Sequence, residues 1–281
     1  MVTWQTARYR IDLRVPQVMG IVNVTPDSFS DGGQFADAPA AMAHCEQLLR
    51  EGADLLDIGG ESTRPGARRP DGDEELQRVL PVLRHAVTLG VPVSVDTSAP
   101  RVMREALDLG VDIVNDVRAL QRQGALAAVA AHRSAGVCLM HMRGEPESMQ
   151  SAPSYRDVVT EVSGFLSQRR DAALAAGIEA SRIVLDPGIG FGKSVEHNLA
   201  LLARQRELLA LGQPLLVGWS RKSTLGAVTG CPVGERLAAS VAAAVMAVER
   251  GASIVRVHDV AATVAAIKLW QATRKEEMRT K

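Results

Sequence analysis

The chain alternates short apolar runs with longer stretches whose apolar residues recur at helical spacing. Eight runs read as strands: Gln17–Val24, Leu55–Gly59, Val93–Asp96, Asp112–Asp116, Val137–Met142, Arg182–Asp186, Leu215–Gly218 and Ser253–Val257. Each is mostly apolar rather than alternating, as parallel strands covered on both faces are. The stretches between them read as helices. Glu75–Leu89 puts Leu76, Val79, Leu80, Leu83 and Val87 on one stripe, although Pro81 inside it argues against an unkinked helix. Asp37–Arg50 puts Met42, Cys45 and Leu49 on one face. Glu235–Glu249 is Ala-rich and apolar almost all round, which predicts burial on two sides, by the chain's own core or by a second subunit. Eight β-then-α units in 281 residues average about 35 residues each, the size of a (β/α)8 TIM barrel, with the active site at the C-terminal ends of the strands. No Pro/Ser linker divides residues 1–281, so one domain is expected. A doubly wound open sheet is the rival, but it carries a glycine fingerprint after its first strand. Here that strand runs into Asn23-Val24-Thr25-Pro26.

The expected strand ends carry Asn23, Asp57, Asp96, Asn115 with Asp116, His141, Asp186, Ser220 to Lys222, and Arg256 with His258. One such residue is ordinary turn or capping chemistry. Polar groups at all eight ends, most following apolar runs where an unpaired charge is costly, point to a polar ligand site. Arg64, with Ser62 and Thr63, suits bidentate recognition of phosphate. Ser220-Arg221-Lys222-Ser223 precedes a helical segment and offers hydroxyls, a lysine and backbone N–H groups to an anion. Arg256 and His258 are two apart on a strand end, so their side chains share a face.

Composition narrows the function. With 32 basic and 32 acidic residues, the chain carries no net charge, which argues against a broad nucleic-acid or anionic-membrane surface. The longest apolar run, Leu237–Val248, falls short of the ~20 residues that span a bilayer, and Met1–Asp12 lacks a signal-peptide core, so a cytoplasmic protein is expected. Cys45, Cys138 and Cys231 form no C-x-x-C pair, and six histidines offer no H-E-x-x-H. Oxygen-rich strand ends suit Mg2+ better than zinc. The run Asp186-Pro187-Gly188-Ile189-Gly190-Phe191-Gly192-Lys193 invites a nucleotide-binding reading and fails it. It is one residue short of a Walker A loop, and Lys193 stands where G-x-G-x-x-G needs its third glycine.

That run, with Met19-Gly20-Ile21-Val22-Asn23-Val24-Thr25-Pro26-Asp27-Ser28-Phe29-Ser30-Asp31-Gly32-Gly33 and Asp57-Ile58-Gly59-Gly60-Glu61-Ser62-Thr63-Arg64-Pro65-Gly66, resembles dihydropteroate synthase. So do the segments around Asp96, Asn115, His141, Ser220 and His258, in the family's order across residues 17–270. The resemblance implies a transferase of folate biosynthesis on a single pterin-binding barrel. It would join 6-hydroxymethyl-7,8-dihydropterin diphosphate to 4-aminobenzoate with Mg2+ and release diphosphate by a dissociative substitution. It implies that Asp96, Asn115, Asp186 and Lys222 hold the pterin between Met140 and Phe191. Asn23 would ligate Mg2+, and Thr63, Arg64, Arg256 and His258 would contact the diphosphate. Phe29, Thr63, Pro65, Ser220 and the stem of Lys222 would frame the aminobenzoate. Thr63, Arg64, Lys222, Arg256 and His258 would carry the chemistry.

The resemblance also implies a homodimer and, with no insertion after Phe191, ordinary competitive inhibition by sulfonamides. Trp219 stands where methionine is commoner; alternation sets it opposite Gly218 and Ser220, so packing is expected of it. The alternatives are a methyltetrahydrofolate–corrinoid methyltransferase on the same barrel and a non-catalytic pterin-binding paralogue.

Overall fold

The computed structural model describes residues 2–24, 33–61, 70–145 and 148–279. All eight expected strands are present, as β3 (Gln17–Asn23), β4 (Leu55–Gly59), β5 (Val93–Asp96), β6 (Ile113–Asp116), β7 (Gly136–Met140), β8 (Ile183–Asp186), β9 (Leu215–Val217) and β10 (Ala252–Val257). They are parallel and close into a barrel in chain order, β10 pairing with both β9 and β3. The helices that follow them are α1 (Gly33–Arg50), α2 (Gly72–Ala86), α3 (Pro100–Asp108), α4 (Ala125–Ala131), α5 (Val158–Ala175), α6 (Val195–Ala203), α7 (Ser223–Thr229), α8 (Leu237–Glu249) and α9 (Val260–Arg279). The sequence is thus a (β/α)8 barrel, as its pattern predicts.

Strand alternation sorts the apolar residues into two cores. Residues such as Val18, Val22, Leu56, Ile58, Val95 and Val114 face outward and pack under the helices. Met19, Leu55, Ile113, Cys138, Val184, Leu216 and Ile254 face inward and fill the barrel as a separate cluster. Trp219 belongs to the outer core and is almost fully buried there, so it is a packing residue. Helix α2 continues through Pro81; Asp71 caps its start, accepting from the N–H groups of Asp73 and Glu74 at 3.0 and 2.8 Å. Its buried face is Glu75, Val79, Val82, Leu83 and Ala86, turned from the predicted stripe towards the acidic first turn.

The sequence pattern missed the N-terminal hairpin, β1 (Thr3–Gln5) and β2 (Arg10–Asp12), whose strands are too short to show a period. The hairpin places Trp4, Ile11 and Leu13 against the inner cluster and so closes the N-terminal end of the barrel. Trp4 Nε1 donates to the carbonyl of Arg182 at 2.9 Å. The buried Arg182 guanidinium donates in turn to the carbonyls of Ala135 and His132 at 2.6 and 2.8 Å. Replacing Trp4 with Ala removes the largest side chain of this plug and should lower unfolding stability by roughly 3–5 kcal/mol in a denaturant titration. A loss under about 1 kcal/mol would show that the hairpin does not hold the barrel shut.

Candidate active site

Two residues beyond the apolar inner layer, the same strand faces turn polar. Leu55 is followed by Asp57, Ile113 by Asn115, Val184 by Asp186 and Ile254 by Arg256. Side chains alternate with a period of two, so each of these lies directly above its apolar predecessor, inside the barrel and nearer its C-terminal mouth. On β7 the residue above Cys138 is Met140, which leaves one apolar wall.

Arg256 organises this layer. Its Nε donates to Asp57 Oδ2 at 2.6 Å and its terminal nitrogen to Asp96 Oδ2 at 2.8 Å. Strand β10 is not a sheet neighbour of β4 or β5, so both bonds cross the barrel interior. Asn115 Nδ2 donates to the same Asp57 oxygen at 3.0 Å. Asp57 is fully buried, and removing either partner of a buried pair leaves a costly orphan charge. Burial opposes the Arg256 charge, but Asp57 and Asp96 overcome this and hold the guanidinium above its ordinary value. Burial pushes the Asp96 carboxyl up, against the pull of Arg256.

Asp186 faces this triad from β8. The Gly188 N–H donates to its Oδ1 at 2.7 Å, which fixes the carboxylate's orientation. Burial raises its carboxyl to about 6. Lys222 stands at the N-cap of α7, with its Nζ 4.2 Å from the centroid of the Phe191 ring. Burial, then the Arg256 charge, lower the Lys222 ammonium to about 8. Arg221 adopts the left-handed region at φ 59°, which turns Ser220 and Lys222 inward and sends its own guanidinium out to Asp259 at 2.6 Å. That conformation costs a non-glycine residue about 1–3 kcal/mol. Two hydrogen bonds hold it: the Arg221 N–H donates to Ser240 Oγ at 2.9 Å, and Arg236 donates to the Arg221 carbonyl at 3.1 Å.

Ser220 Oγ lies 3.0 Å from His258 Nδ1 and accepts the His258 backbone N–H at 3.2 Å. A hydroxyl that accepts the backbone N–H is free to give its proton to Nδ1, an arrangement that leaves the ring proton on Nε2. Burial, with the charges of Arg256 and Arg221, lowers the imidazole to about 3. His258 is therefore neutral at pH 7, and in that arrangement it presents a donor at Nε2.

Two expected site residues lie elsewhere. Asp116 accepts from Ser98 Oγ at 2.5 Å and from the N–H groups of Arg118 and Leu120 at 2.9 and 2.7 Å, which shapes a turn with Ala119 and Leu120 in the left-handed region. His141 is buried edge-on against Phe165, with ring centroids 4.9 Å apart. The polar ring therefore does not draw on all eight strand ends: β7 contributes Met140. Asn23 ends β3 half-buried. Phe29, Thr63, Arg64 and Pro65 lie outside the described residues. Sequence reasoning placed Asp57 at a strand end without giving it a task. Its place two residues above the inward-facing Leu55 is the signal that puts it in the inner polar layer.

Among the described residues, no three His, Cys, Asp or Glu side chains gather where they could hold a metal ion. The donor chemistry fits a Mg2+ that arrives with a phosphate ligand and takes the Asn23 amide oxygen alongside water and phosphate oxygens. Among the described residues no helix is long and apolar enough to cross a membrane.

The mouth thus combines three carboxylates, an amide, two cations and a neutral imidazole donor. The chain matches the pterin-binding enzyme family over residues 19–258. It is 54% identical over 275 residues to a dihydropteroate synthase of Neisseria meningitidis serogroup B, with 96% of each chain covered. It is also similar to a Xanthomonas albilineans dihydropteroate synthase solved with 4-aminobenzoic acid, at 52% identity and a TM-score of 0.92, covering 97% of this chain and 98% of that one. A Burkholderia cenocepacia dihydropteroate synthase complexed with 7,8-dihydropteroate matches at 49% identity and a TM-score of 0.90, covering 99% of this chain and 98% of that one.

Proposed function

The chain belongs to the pterin-binding enzyme family and to its dihydropteroate synthases, transferases of folate biosynthesis, and from this we propose how its own residues carry the reaction. The observation that carries the reading is the polar layer itself, where Asp186, Asn115 and Asp96 meet Lys222 on Phe191 in one barrel mouth. A pterin offers adjacent N–H donors on one edge, and the ionised Asp186 accepts them as a pair. Met140 and Phe191 cover the two ring faces. Lys222 lends its charge to the ring's acceptor atoms. The diphosphate lies outward, towards Asn23, Thr63, Arg64 and His258. The His258 Nε2–H donates to a phosphate oxygen, and the approaching anion favours protonation of that ring. Arg256 opposes the burial that pushes the Asp96 carboxyl up, and it offers its remaining N–H groups towards the leaving group.

Mg2+, when bound through Asn23, would neutralise charge on the diphosphate oxygens. The bond between the pterin methylene carbon and the diphosphate oxygen breaks, and its electron pair leaves with diphosphate. The amine nitrogen of 4-aminobenzoate, neutral at pH 7 and framed by Phe29, Pro65, Ser220 and the Lys222 stem, then attacks the methylene and loses a proton. The free thiols of Cys45, Cys138 and Cys231 are in keeping with a reducing cytoplasm.

A second subunit also follows. The chain's own core takes one face of α8, through Ser240, Ala243, Ala244, Ala247 and Val248. Met246 lies exposed on the outer face of α8, with Leu237 exposed at the start of the helix and Val228 and Val233 nearby in sequence, and we assign this side to a homodimer contact. Light scattering should give about twice the 30.0 kDa of one chain. A single-chain mass at micromolar concentration would remove the dimer from the reading.

The decisive assay measures diphosphate release from the pterin diphosphate with Mg2+, with and without 4-aminobenzoate. We expect dihydropteroate to form, with sulfonamides competing against 4-aminobenzoate. Release that requires prior aminobenzoate binding would sink the dissociative order. Tight pterin binding without any turnover would return the methyltransferase or the non-catalytic paralogue. A pH series with 6-hydroxymethyl-7,8-dihydropterin, which has no titrating phosphate, tests the acceptor assignment. Asp186 must be ionised and Lys222 protonated, so affinity should fall as pH drops through about 6 and again as it rises through about 8. Flat affinity from about pH 5 to 9 would exclude both roles.

A further inference from the structure

Lys193 closes the run that failed as a nucleotide loop, and the reaction just described gives it no task. Its side chain is buried. The Nζ lies 2.8 Å from His141 Nδ1 and donates to the carbonyls of Gly188 and Phe191 at 2.9 and 3.0 Å, with the His141 carbonyl at 3.3 Å. Three of these contacts are carbonyl oxygens, which only accept; burial with the Lys193 and Arg143 charges keeps His141 neutral, and its Nδ1 accepts in the Nε2–H tautomer. Burial pulls the Lys193 ammonium down from its ordinary value, and in that tautomer the three donors of the ammonium match the acceptors of the cage.

The cage belongs to one turn. Gly188 and Gly192 both have positive φ, and a Cβ on either would collide with the backbone carbonyl of His141 or of Arg143. The turn therefore lies directly on the end of β7. Asn198 and Tyr155 also hold it, Asn198 by accepting the Gly190 N–H at 2.8 Å and Tyr155 by donating to the Gly192 carbonyl at 2.8 Å. Gly188, bonded to Lys193 through its carbonyl, is also the residue whose N–H fixes Asp186 Oδ1. Phe191, bonded to Lys193 through its carbonyl, supplies the ring under Lys222. A methionine would fill the same volume without a buried charge to desolvate, so volume alone does not explain a lysine here.

We propose that Lys193 is a positioning residue of the reaction: its ammonium draws the Gly188 and Phe191 carbonyls onto the end of β7 and so aims both Asp186 and Phe191 at the pterin. The inference rests on the reading that Asp186 accepts the pterin edge. The charged and titratable groups facing Asp186 are Lys222, Lys193 and Arg256, with the Cys138 thiol beneath, kept protonated by burial. Removing the Lys193 charge takes away one of the three cations that favour the ionised carboxylate.

The test compares Lys193→Met, Asp186→Asn and the double variant with the parent enzyme. It reads calorimetric affinity for 6-hydroxymethyl-7,8-dihydropterin across pH, and KM for 4-aminobenzoate. Lys193→Met should weaken the pterin roughly tenfold or more, a loss of the size that misplaced site groups produce. It should leave the aminobenzoate KM within about twofold, and add less than about twofold in the Asp186→Asn background. Its acid limb for pterin binding should move to higher pH, which general loosening of the fold would not do. Unchanged pterin affinity, an unmoved acid limb, or a full additional loss in the double variant would overturn the proposal. If Lys193→Met does not fold, Lys193→Gln, which keeps an N–H for one carbonyl, carries the same comparison. An Asp186→Asn variant that binds the pterin normally overturns the site assignment and this inference with it. An Asp186→Asn variant that loses the pterin while Lys193→Met keeps it overturns the inference alone.

Discussion

Arg256 is held between Asp57 and Asp96 inside the barrel, and the rest of the mouth is arranged around that ion triad. A guanidinium there is tolerable only because two carboxylates from different strands meet it, and Asp57 is tolerable only because Arg256 and Asn115 share one of its oxygens. Strands β10, β4, β5 and β6 are thereby tied across the barrel as well as along its wall. The layer beneath excludes water, which strengthens every charge–charge contact above it. The hairpin with Trp4 at the far end serves the same purpose, since an open barrel would hydrate that layer.

Around the triad, loops are fixed by hydrogen bonds between side chains and the backbone. Gly188 sets Asp186, Ser240 and Arg236 set the Arg221 turn, and Ser220 holds His258 through its ring and its backbone N–H. Each tie uses a different chemical device to the same end: it removes the freedom that a ligand would otherwise have to quench on binding. Lys193 belongs with these ties, and like Arg236 it gathers several backbone carbonyls around one side chain.

Asp116 and His141 explain why reading strand ends one by one overshoots. Both follow apolar runs, as Asp186 does. Asp116 lies one residue beyond Asn115, and alternation turns it off the inner face, where it organises its own loop. His141 follows Met140 in the same way. The neighbouring residue in phase with the inner apolar layer is the one that reaches the site, so the phase within each strand distinguishes site from scaffold.

The sequence by itself determined the barrel, because eight doubly covered strands separated by helical stretches at this spacing have few other ways to bury their apolar faces. It also determined most of the polar layer, because a period of two carries residues from a known inner face to a known mouth. What only the tertiary structure decided is which charges neutralise one another. Asp57 with Arg256 joins residues nearly two hundred positions apart, and no local pattern encodes a contact made across the inside of a closed sheet. The cage around Lys193 and the neutral state of His258 were equally hidden, since both depend on burial, and burial of a polar group is set by what the rest of the chain packs against it.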